Sequence, residues 1–287
     1  MPKENAVSKN GVPPHIYFLI SAIFHYLGPS FAVLLFSSIS VLGVAWFRIA
    51  TAAGFFMIWR RPWHRFFQLT WDQQRIVIGL GIVLGLMNAS FYIAIARIPL
   101  GTVAAIEFLG PIILAALGVR NLRNVVALLF AAIGVWLLTD VRLEGDPLGF
   151  IFAFANCIFF IIYIMLGHRV ASDGGSSGID RLSIAMVVAL FTVTPIGING
   201  ALPAITSPIL LLAALGVGVC SSVIPYVCDQ LAMAKLSRST FSLLLSILPV
   251  TATLIGILVL HQFPTILEVI GIFLVASGVL LHQTKKT

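Results

Sequence analysis

The chain has 287 residues, of which 60% are apolar and only 9% are charged. A soluble domain usually carries about 25% charged residues, so this composition excludes an ordinary water-soluble protein. The formal net charge of +7 would by itself suggest nucleic acid as a partner, but the basic residues are distributed as in a membrane protein. The sequence therefore predicts an all-α integral membrane protein that contacts the lipid bilayer and binds no nucleic acid.

Long uncharged stretches predict the membrane-spanning segments, because a spanning helix needs about 20 apolar residues. The longest uncharged stretch, between Arg181 and Asp229, has room for two spans, and its Gly/Pro-rich part, from residue 197 to Pro208, predicts a break between them. In chain order, the ten predicted spans are 15–35, 38–59, 75–96, 100–119, 123–140, 148–168, 181–199, 208–233, 239–260 and 264–283.

The distribution of Lys and Arg among the loops predicts the orientation. With the N-terminus inside, fourteen of the seventeen basic residues lie in inner segments, and the outer loops hold only Arg97 and Arg142. We therefore predict cytoplasmic N- and C-termini and a multi-pass protein of the bacterial inner membrane. The inner basic residues are Lys3, Lys9, Arg60, Arg61, Arg65, Arg75, Arg120, Arg123, Arg169, Arg181, Lys235, Arg238, Lys285 and Lys286.

The two halves of the chain look related. Thr102 and Thr240 are separated by the same 138 residues as Pro111 and Pro249. Each half holds five spans, an odd number, so the halves face opposite ways in the membrane. Inverted repeats with a binding site at their interface are typical of secondary transporters. The predicted domains are two inverted five-helix repeats, residues 1–144 and 145–287.

Three ionisable side chains fall within predicted spans. A charge there costs at least about 2.5–3.5 kcal/mol, so such a residue usually faces a cavity or a partner. At about 1.5 Å per residue, Glu107 and Arg48 lie roughly 10 and 15 Å below the outer ends of their helices, within side-chain reach of each other. Asp229 lies roughly 9 Å from the cytoplasmic side.

These charges favour a zwitterionic substrate, since Arg48 suits a carboxylate and Glu107 suits an ammonium group. The alternative is that Arg48 and Glu107 form a structural ion pair between helices. Glu107, Asp229 and His25 are also candidates for a proton-coupling site, because a carboxyl group removed from water takes up a proton more readily.

Neutral polar residues supply further candidate contacts. Asn88 and Tyr92 lie four residues apart on one face of span three, and Tyr226 and Gln230 have the same spacing in span eight. The alternative for each is an ordinary interhelical hydrogen bond. Further polar residues within spans are Tyr26, Asn156 and Tyr163. The predicted substrate-binding residues are Arg48, Asn88, Tyr92, Glu107, Tyr226 and Asp229.

Small residues and prolines within the spans indicate packing and kinks. The pair Gly81 and Gly85 and the pair Ala50 and Gly54 have the small-residue spacing that permits close helix packing. Prolines inside spans predict kinks that open or gate a cavity. These prolines are Pro111, Pro225 and Pro249.

Motifs of enzymes and ATP-driven pumps are missing from the sequence. It contains no Walker loop, GxSxG or HExxH motif, which predicts no cofactor, no metal, no catalytic residue and no enzymatic activity. Four alternatives stay open: a carrier of a different metabolite, an uptake permease, a membrane-embedded enzyme and a non-transporting scaffold.

Several stretches resemble the threonine/homoserine exporter subgroup of the EamA-type drug/metabolite transporters. The most specific stretch runs from Asn88 to Pro111, with Phe91-Tyr92 after Asn88, then 97–101, 106–108 and Gly110-Pro111. Arg48 matches the second helix of that family. Pro225-Tyr226 with Asp229, followed by 236–241, resembles its eighth and ninth helices.

The resemblance implies a ten-helix inverted repeat in the inner membrane that exports amino acids or similar metabolites by proton exchange. By matching position, it implies that Arg48, Asn88, Tyr92 and Glu107 line a central cavity. The implied partners are a small molecule, an amino acid or an analogue of one, and protons. The sequence gives no indication of the oligomeric state.

Overall fold

The computed structural model describes residues 13–110, 122–140, 146–171, 175–233, 235 and 247–281. Every regular element in these ranges is a helix. In chain order they are α1 (Pro14–Leu35), α2 (Val41–Arg60), α3 (Pro62–Phe66), α4 (Trp71–Ile95), α5 (Leu100–Glu107), α6 (Leu122–Asp140), α7 (Pro147–Ala171), α8 (Gly175–Ile205), α9 (Pro208–Gly218), a π-helical turn (Val219–Val223), α10 (Ile224–Met233), α11 (Ile247–Leu260) and α12 (Ile266–Leu281).

Six helical segments are long and apolar enough to cross a membrane, which confirms a multi-pass membrane protein. They coincide with predicted spans one, two, three, six, seven and eight. Helices α6, α11 and α12 are apolar but shorter within the described ranges, so the count of ten spans stays a prediction. The six segments are His15–Leu35, Val41–Arg60, Trp71–Ile95, Pro147–Gly167, Ser177–Ile205 and Pro208–Ala232.

The outer surface of the helix bundle is apolar, whereas its interior contains polar side chains. Ile58 is 84% exposed and Leu258 is 75% exposed, while Arg48 and Glu107 are each 3% exposed. A protein dissolved in lipid has no need of a polar exterior, so its polar groups collect where helices meet. The polar interior is therefore the part of the fold that requires a functional explanation.

The break predicted within the Gly/Pro-rich stretch 197–208 is present but is confined to residues 206–207. Helix α8 continues through residues 197–203 to Ile205, so the predicted end of the helix near residue 199 is wrong. Glycines and prolines often mark turns, but a glycine within a helix can instead let a neighbouring helix pack closely against it. Here the glycines lie against α2.

Helix α8 approaches α2 closely because the contact surface lacks side chains. A Cβ on Gly197 would lie 2.7 Å from the backbone oxygen of Leu42, and one on Gly200 would overlap the Ser40 side chain. A Cβ on Gly43 would in turn overlap the backbone of Gly200. The two helices therefore pack backbone to backbone, as small-residue motifs permit in membranes.

Replacing Gly200 by leucine should destabilise the fold, since overpacking of this kind costs about 1–3 kcal/mol. The measurement is thermal unfolding of the purified protein in detergent. Gly54→Leu is the matched control, because a Cβ there meets no atom within 4 Å. Equal unfolding temperatures for the two variants would contradict the packing account.

The two predicted small-residue pairs behave differently. Gly81 and Gly85 do support packing, since a Cβ on either would crowd α8 at Val188 or Thr192. The prediction for Gly54 is wrong, because its position faces open space. Small spacing alone does not reveal which face of a helix meets a neighbour.

Helices from the first half of the chain pack against helices from the second half. Helix α1 packs against α10 and α11, α2 against α8, α4 against α7 and α8, α5 against α7 and α11, and α6 against α12. Polar contacts join helix ends: Arg60 pairs with Asp180 at 2.6 Å, and the Leu100 N–H donates to Gln262 Oε1 at 3.2 Å. The interior is therefore lined by both ends of the chain.

Candidate functional site

Buried polar side chains from six helices meet inside the bundle. Each of them is at most 7% exposed. The helices α1, α2, α4, α5, α7 and α10 contribute Tyr26, Arg48, Asn88, Tyr92, Glu107, Asn156, Tyr163, Tyr226 and Gln230, which we call the polar cluster.

Arg48 is held by the π-helical turn before α10. Its Nε donates to Ser222 Oγ at 2.8 Å, and its Nη2 donates to the Ser221 carbonyl at 2.7 Å. Pro225, four residues after Ser221, has no N–H to offer that carbonyl, and π-helical turns often occur at functional sites. Arg48 thus satisfies a backbone group left free by a break in the helix, and the predicted irregularity at Pro225 is present.

The rest of the Arg48 guanidinium faces the polar cluster. The guanidinium carbon Cζ of Arg48 lies 5.5 Å from the centroid of the Tyr92 ring. A guanidinium has five N–H donors; two of those of Arg48 have well-aligned acceptors among the described residues, and the Tyr92 hydroxyl lies near a further one. In the described ranges Arg48 and Glu107 form no ion pair, and the arginines that pair with carboxylates do so with Asp146 and Asp180. The ion-pair alternative for Arg48 and Glu107 is therefore not what the structure shows.

Glu107 lies at the end of helix α5. The Phe108 N–H still donates to the Ala104 carbonyl at 3.1 Å and residues 109–110 are helical, while residues 111–119 of the predicted span lie outside the described residues. Its Oε2 has no hydrogen-bond partner among the described residues. A buried polar atom without a partner costs about 1–3 kcal/mol, which a bound polar ligand would offset.

Further atoms of the polar cluster are in the same situation. Leaving a buried polar atom unpaired is rare in folded proteins, and several at one place are a feature that needs explanation. Within the described ranges, the cluster atoms without partners are Tyr26 Oη, Asn88 Oδ1, Tyr92 Oη, Glu107 Oε2, Asn156 Oδ1 and Nδ2, and Gln230 Oε1. They supply donors and acceptors for a small polar molecule.

Asn88 and Tyr226 join α4 to α10 within the cluster. The Asn88 amide nitrogen donates to the Leu84 carbonyl at 2.8 Å and lies 3.5 Å from the Tyr226 hydroxyl. The rings of Tyr226 and Tyr163 lie 6.2 Å apart between centroids. These contacts connect the part of the cluster around Arg48 to the part near Asp229.

Asp229 and His25 lie at the edge of the cluster. Asp229 is partly buried, and its Oδ1 accepts a hydrogen bond from Ser21 Oγ at 2.5 Å. His25 is also partly buried and contacts Tyr26 edge-on at 5.4 Å between ring centroids. The other five predicted substrate-binding residues come together, whereas Asp229 faces α1.

Four members of the polar cluster were named from the sequence only as polar residues within spans and were left out of the predicted substrate-binding set, namely Tyr26, Asn156, Tyr163 and Gln230. Ser221 and Ser222, which hold Arg48, were not named at all. The signal for the serines was the proline that follows them, since it leaves a carbonyl free. Asn156 is an isolated amide in an apolar run and gives no pattern. Pro111 and the segment 236–241, used in the resemblance and the repeat, lie outside the described residues.

Comparison with known proteins shows similarity to membrane transporters. Residues 147–283 match the EamA-like transporter family. Over 262 residues the chain is 27% identical to the threonine/homoserine exporters RhtA of Salmonella typhimurium (strain SL1344) and Escherichia coli (strain K12), covering 90% of this chain and 87% of each relative. A solved crystal structure shares the fold, with a TM-score of 0.55 and 18% identity over 93% of this chain and 96% of the other. The second half of the chain thus matches the EamA-like transporter family, and the chain as a whole is similar to the threonine/homoserine exporters, which are membrane transporters and not enzymes.

Proposed function

We propose that the protein is a secondary transporter of the bacterial cytoplasmic membrane that exports amino acids similar to threonine and homoserine, or close analogues. The polar cluster is the observation that carries this proposal. Arg48 has unused donors for a carboxylate, and Glu107 has an unused acceptor for an ammonium group. The names of the similar proteins, which are threonine/homoserine exporters, support the same substrate class.

We further propose that residues 1–144 and 145–287 are two inverted repeats that move against each other. If each helix is replaced by its counterpart in the other repeat, the α1–α10 contact becomes the α4–α7 contact. The α2–α8, α5–α11 and α6–α12 contacts stay the same, because each joins a helix to its own counterpart. Asn88 and Tyr226, which approach to 3.5 Å, are 138 residues apart, as are Thr102 and Thr240. The match of the EamA-like family to 147–283 agrees with the second repeat.

Alternating access follows from where the polar contacts lie. Arg60 and Asp180 join α2 to α8 at the proposed cytoplasmic side, and Leu100 and Gln262 join α5 to the segment after α11 at the other. Opening the polar cluster to one side requires separating the helices on that side. The structure holds both contacts, and each open state would lose the contact on the side that opens.

Proton exchange is the proposed coupling. Glu107 binds the substrate's ammonium group in one state and a proton in the other, so that protonation releases the substrate. Asp229, held by Ser21, and His25 are the further candidates for carrying a proton.

The direct test is transport by the purified protein in liposomes. We expect saturable transport of radiolabelled threonine or homoserine. The transport rate should rise when a proton gradient drives protons in the direction opposite to the amino acid. A panel of metabolites measured in both directions distinguishes the exporter from an uptake permease or a carrier of another substrate. Failure to move any amino acid in the panel would overturn the proposal.

A further inference from the structure

The side chain of Asn156 is a buried amide that the proposed binding of a zwitterion does not use. It projects from α7 and is 0% exposed. Within the described part of the chain neither its oxygen nor its nitrogen has a partner at good hydrogen-bond geometry, and its nearest polar neighbour is the Glu107 carboxyl group, with which it interacts more loosely. A fully buried amide normally has well-aligned partners for both its groups, so this one has hydrogen-bonding capacity that a polar ligand could use.

The backbone holds Asn156 beside Glu107. A Cβ added to Gly110 would lie 2.8 Å from the Ile161 side chain and 3.5 Å from the Cys157 carbonyl, so α7 packs directly on the residues after α5. The aromatic rings of Phe108 and Phe160 meet at 5.9 Å between centroids on the same contact. The Asn156 amide consequently lies next to the Glu107 carboxyl group.

Tyr26 adds a third unpartnered group at this place. Its side chain is fully buried, its hydroxyl has no partner among the described residues, and it lies within electrostatic range of Glu107. The three side chains come from α1, α5 and α7. Together they present one carboxylate, one amide and one hydroxyl.

The chemistry of these groups indicates what they bind. An amide both donates and accepts, and so does a phenolic hydroxyl, whereas a carboxylate only accepts. The ammonium group of an amino acid suits Glu107, since it only donates. A group that donates and accepts at once, such as a hydroxyl on the β or γ carbon, suits Asn156 and Tyr26.

We infer that Asn156, together with Tyr26, is the specificity-determining residue that binds the side-chain hydroxyl of an amino acid whose ammonium group is bound by Glu107. This inference rests on the proposed function. A site built to hydrogen-bond a hydroxyl rejects the analogue that lacks it, because the buried amide is then left unpaired. An apolar residue at the same position would accept both equally.

The experiment compares pairs of substrates that differ only in this hydroxyl: threonine with valine, and homoserine with norvaline. Transport in proteoliposomes is measured for the wild type and for Asn156→Leu, which keeps the size and removes the polar atoms. We expect the wild type to prefer each hydroxyl compound by about tenfold or more. In Asn156→Leu that ratio should fall to near one, through slower transport of threonine and homoserine while valine is still carried.

Phe154→Leu is the matched control on α7, since Phe154 is 40% exposed and faces outwards. Its preference should equal that of the wild type. An unchanged ratio in Asn156→Leu, or an equal loss of both compounds of a pair, would overturn the inference.

A wild-type measurement tests the inference even if Asn156→Leu fails to fold. Valine should compete with labelled threonine much less effectively than homoserine does. Equal competition would overturn the role of Asn156 while leaving the exporter function intact. Absence of any amino-acid transport would instead overturn the proposed function as well.

Discussion

Replacing Glu107 by glutamine is expected to abolish transport while leaving the amount of folded protein unchanged. Glutamine has the same size and keeps an acceptor oxygen, but it has no charge for the substrate's ammonium group and cannot exchange a proton. Truncating one partner of a buried, hydrogen-bonded charge pair costs about 2 kcal/mol or more, which corresponds to at least about thirtyfold in transport at low substrate concentration. Initial rates in proteoliposomes measure the effect.

Asp72→Asn is the matched control for Glu107→Gln, because it makes the same chemical change on the exposed first turn of α4. It should transport as the wild type does. Thermal unfolding in detergent should show both variants to be folded. Undiminished transport by Glu107→Gln would remove Glu107 from the site, and with it the proposed exchange of proton and substrate.

The sequence allowed the charged part of the site to be predicted because a charge in lipid is costly wherever the helices go. Arg48 and Glu107 therefore had to face the interior before any helix was placed, and both are buried there. Neutral groups carry no comparable penalty until their partners are known. For that reason Asn156 was only one of several polar residues named within the spans, and its place beside Glu107 is evident only once α7 is positioned.

The fold, like the site, could be predicted from the sequence in some parts and not in others. Apolar length placed the long helices to within a few residues, since lipid thickness fixes how long a span must be. The stretch 197–203 was misread because glycine serves both to end a helix and to let another backbone approach. Only the position of α2 against Gly197 and Gly200 decides between these uses, and that position depends on the whole bundle.

The π-helical turn was also not predictable from the periodicity of apolar residues. The π-helical turn over Val219–Val223 adds a residue to one helical turn without changing the apolar composition. Its sequence signal is Pro225, which predicted a kink but not which group would satisfy the freed carbonyl. Arg48 does so from another helix, a pairing of a side chain with a backbone group that no pattern of side chains encodes.

Replacing Arg48 is expected to impair both transport and stability, in contrast to Glu107→Gln. In Arg48→Met the Ser221 carbonyl loses its donor inside the bundle, which should lower the free energy of unfolding by about 1–3 kcal/mol. Arg48→Lys keeps the charge, but an ammonium group lacks the planar fork that reaches Ser222 Oγ and the Ser221 carbonyl while leaving donors for a carboxylate. Arg48→Lys should therefore be more stable than Arg48→Met. It should still transport at least tenfold more slowly than the wild type, which corresponds to a free-energy difference of about 1.4 kcal/mol.

Pairing these rates with unfolding temperatures separates the two roles of Arg48. Ser222→Ala removes one acceptor of the guanidinium while leaving Arg48 and the Ser221 carbonyl in place, so it should weaken the π-helical turn and spare substrate binding. If Arg48→Met unfolds at the wild-type temperature, the guanidinium does not support the turn. If Arg48→Lys transports at the wild-type rate, the fork geometry is not needed, and a positive charge alone suffices for the substrate's carboxylate.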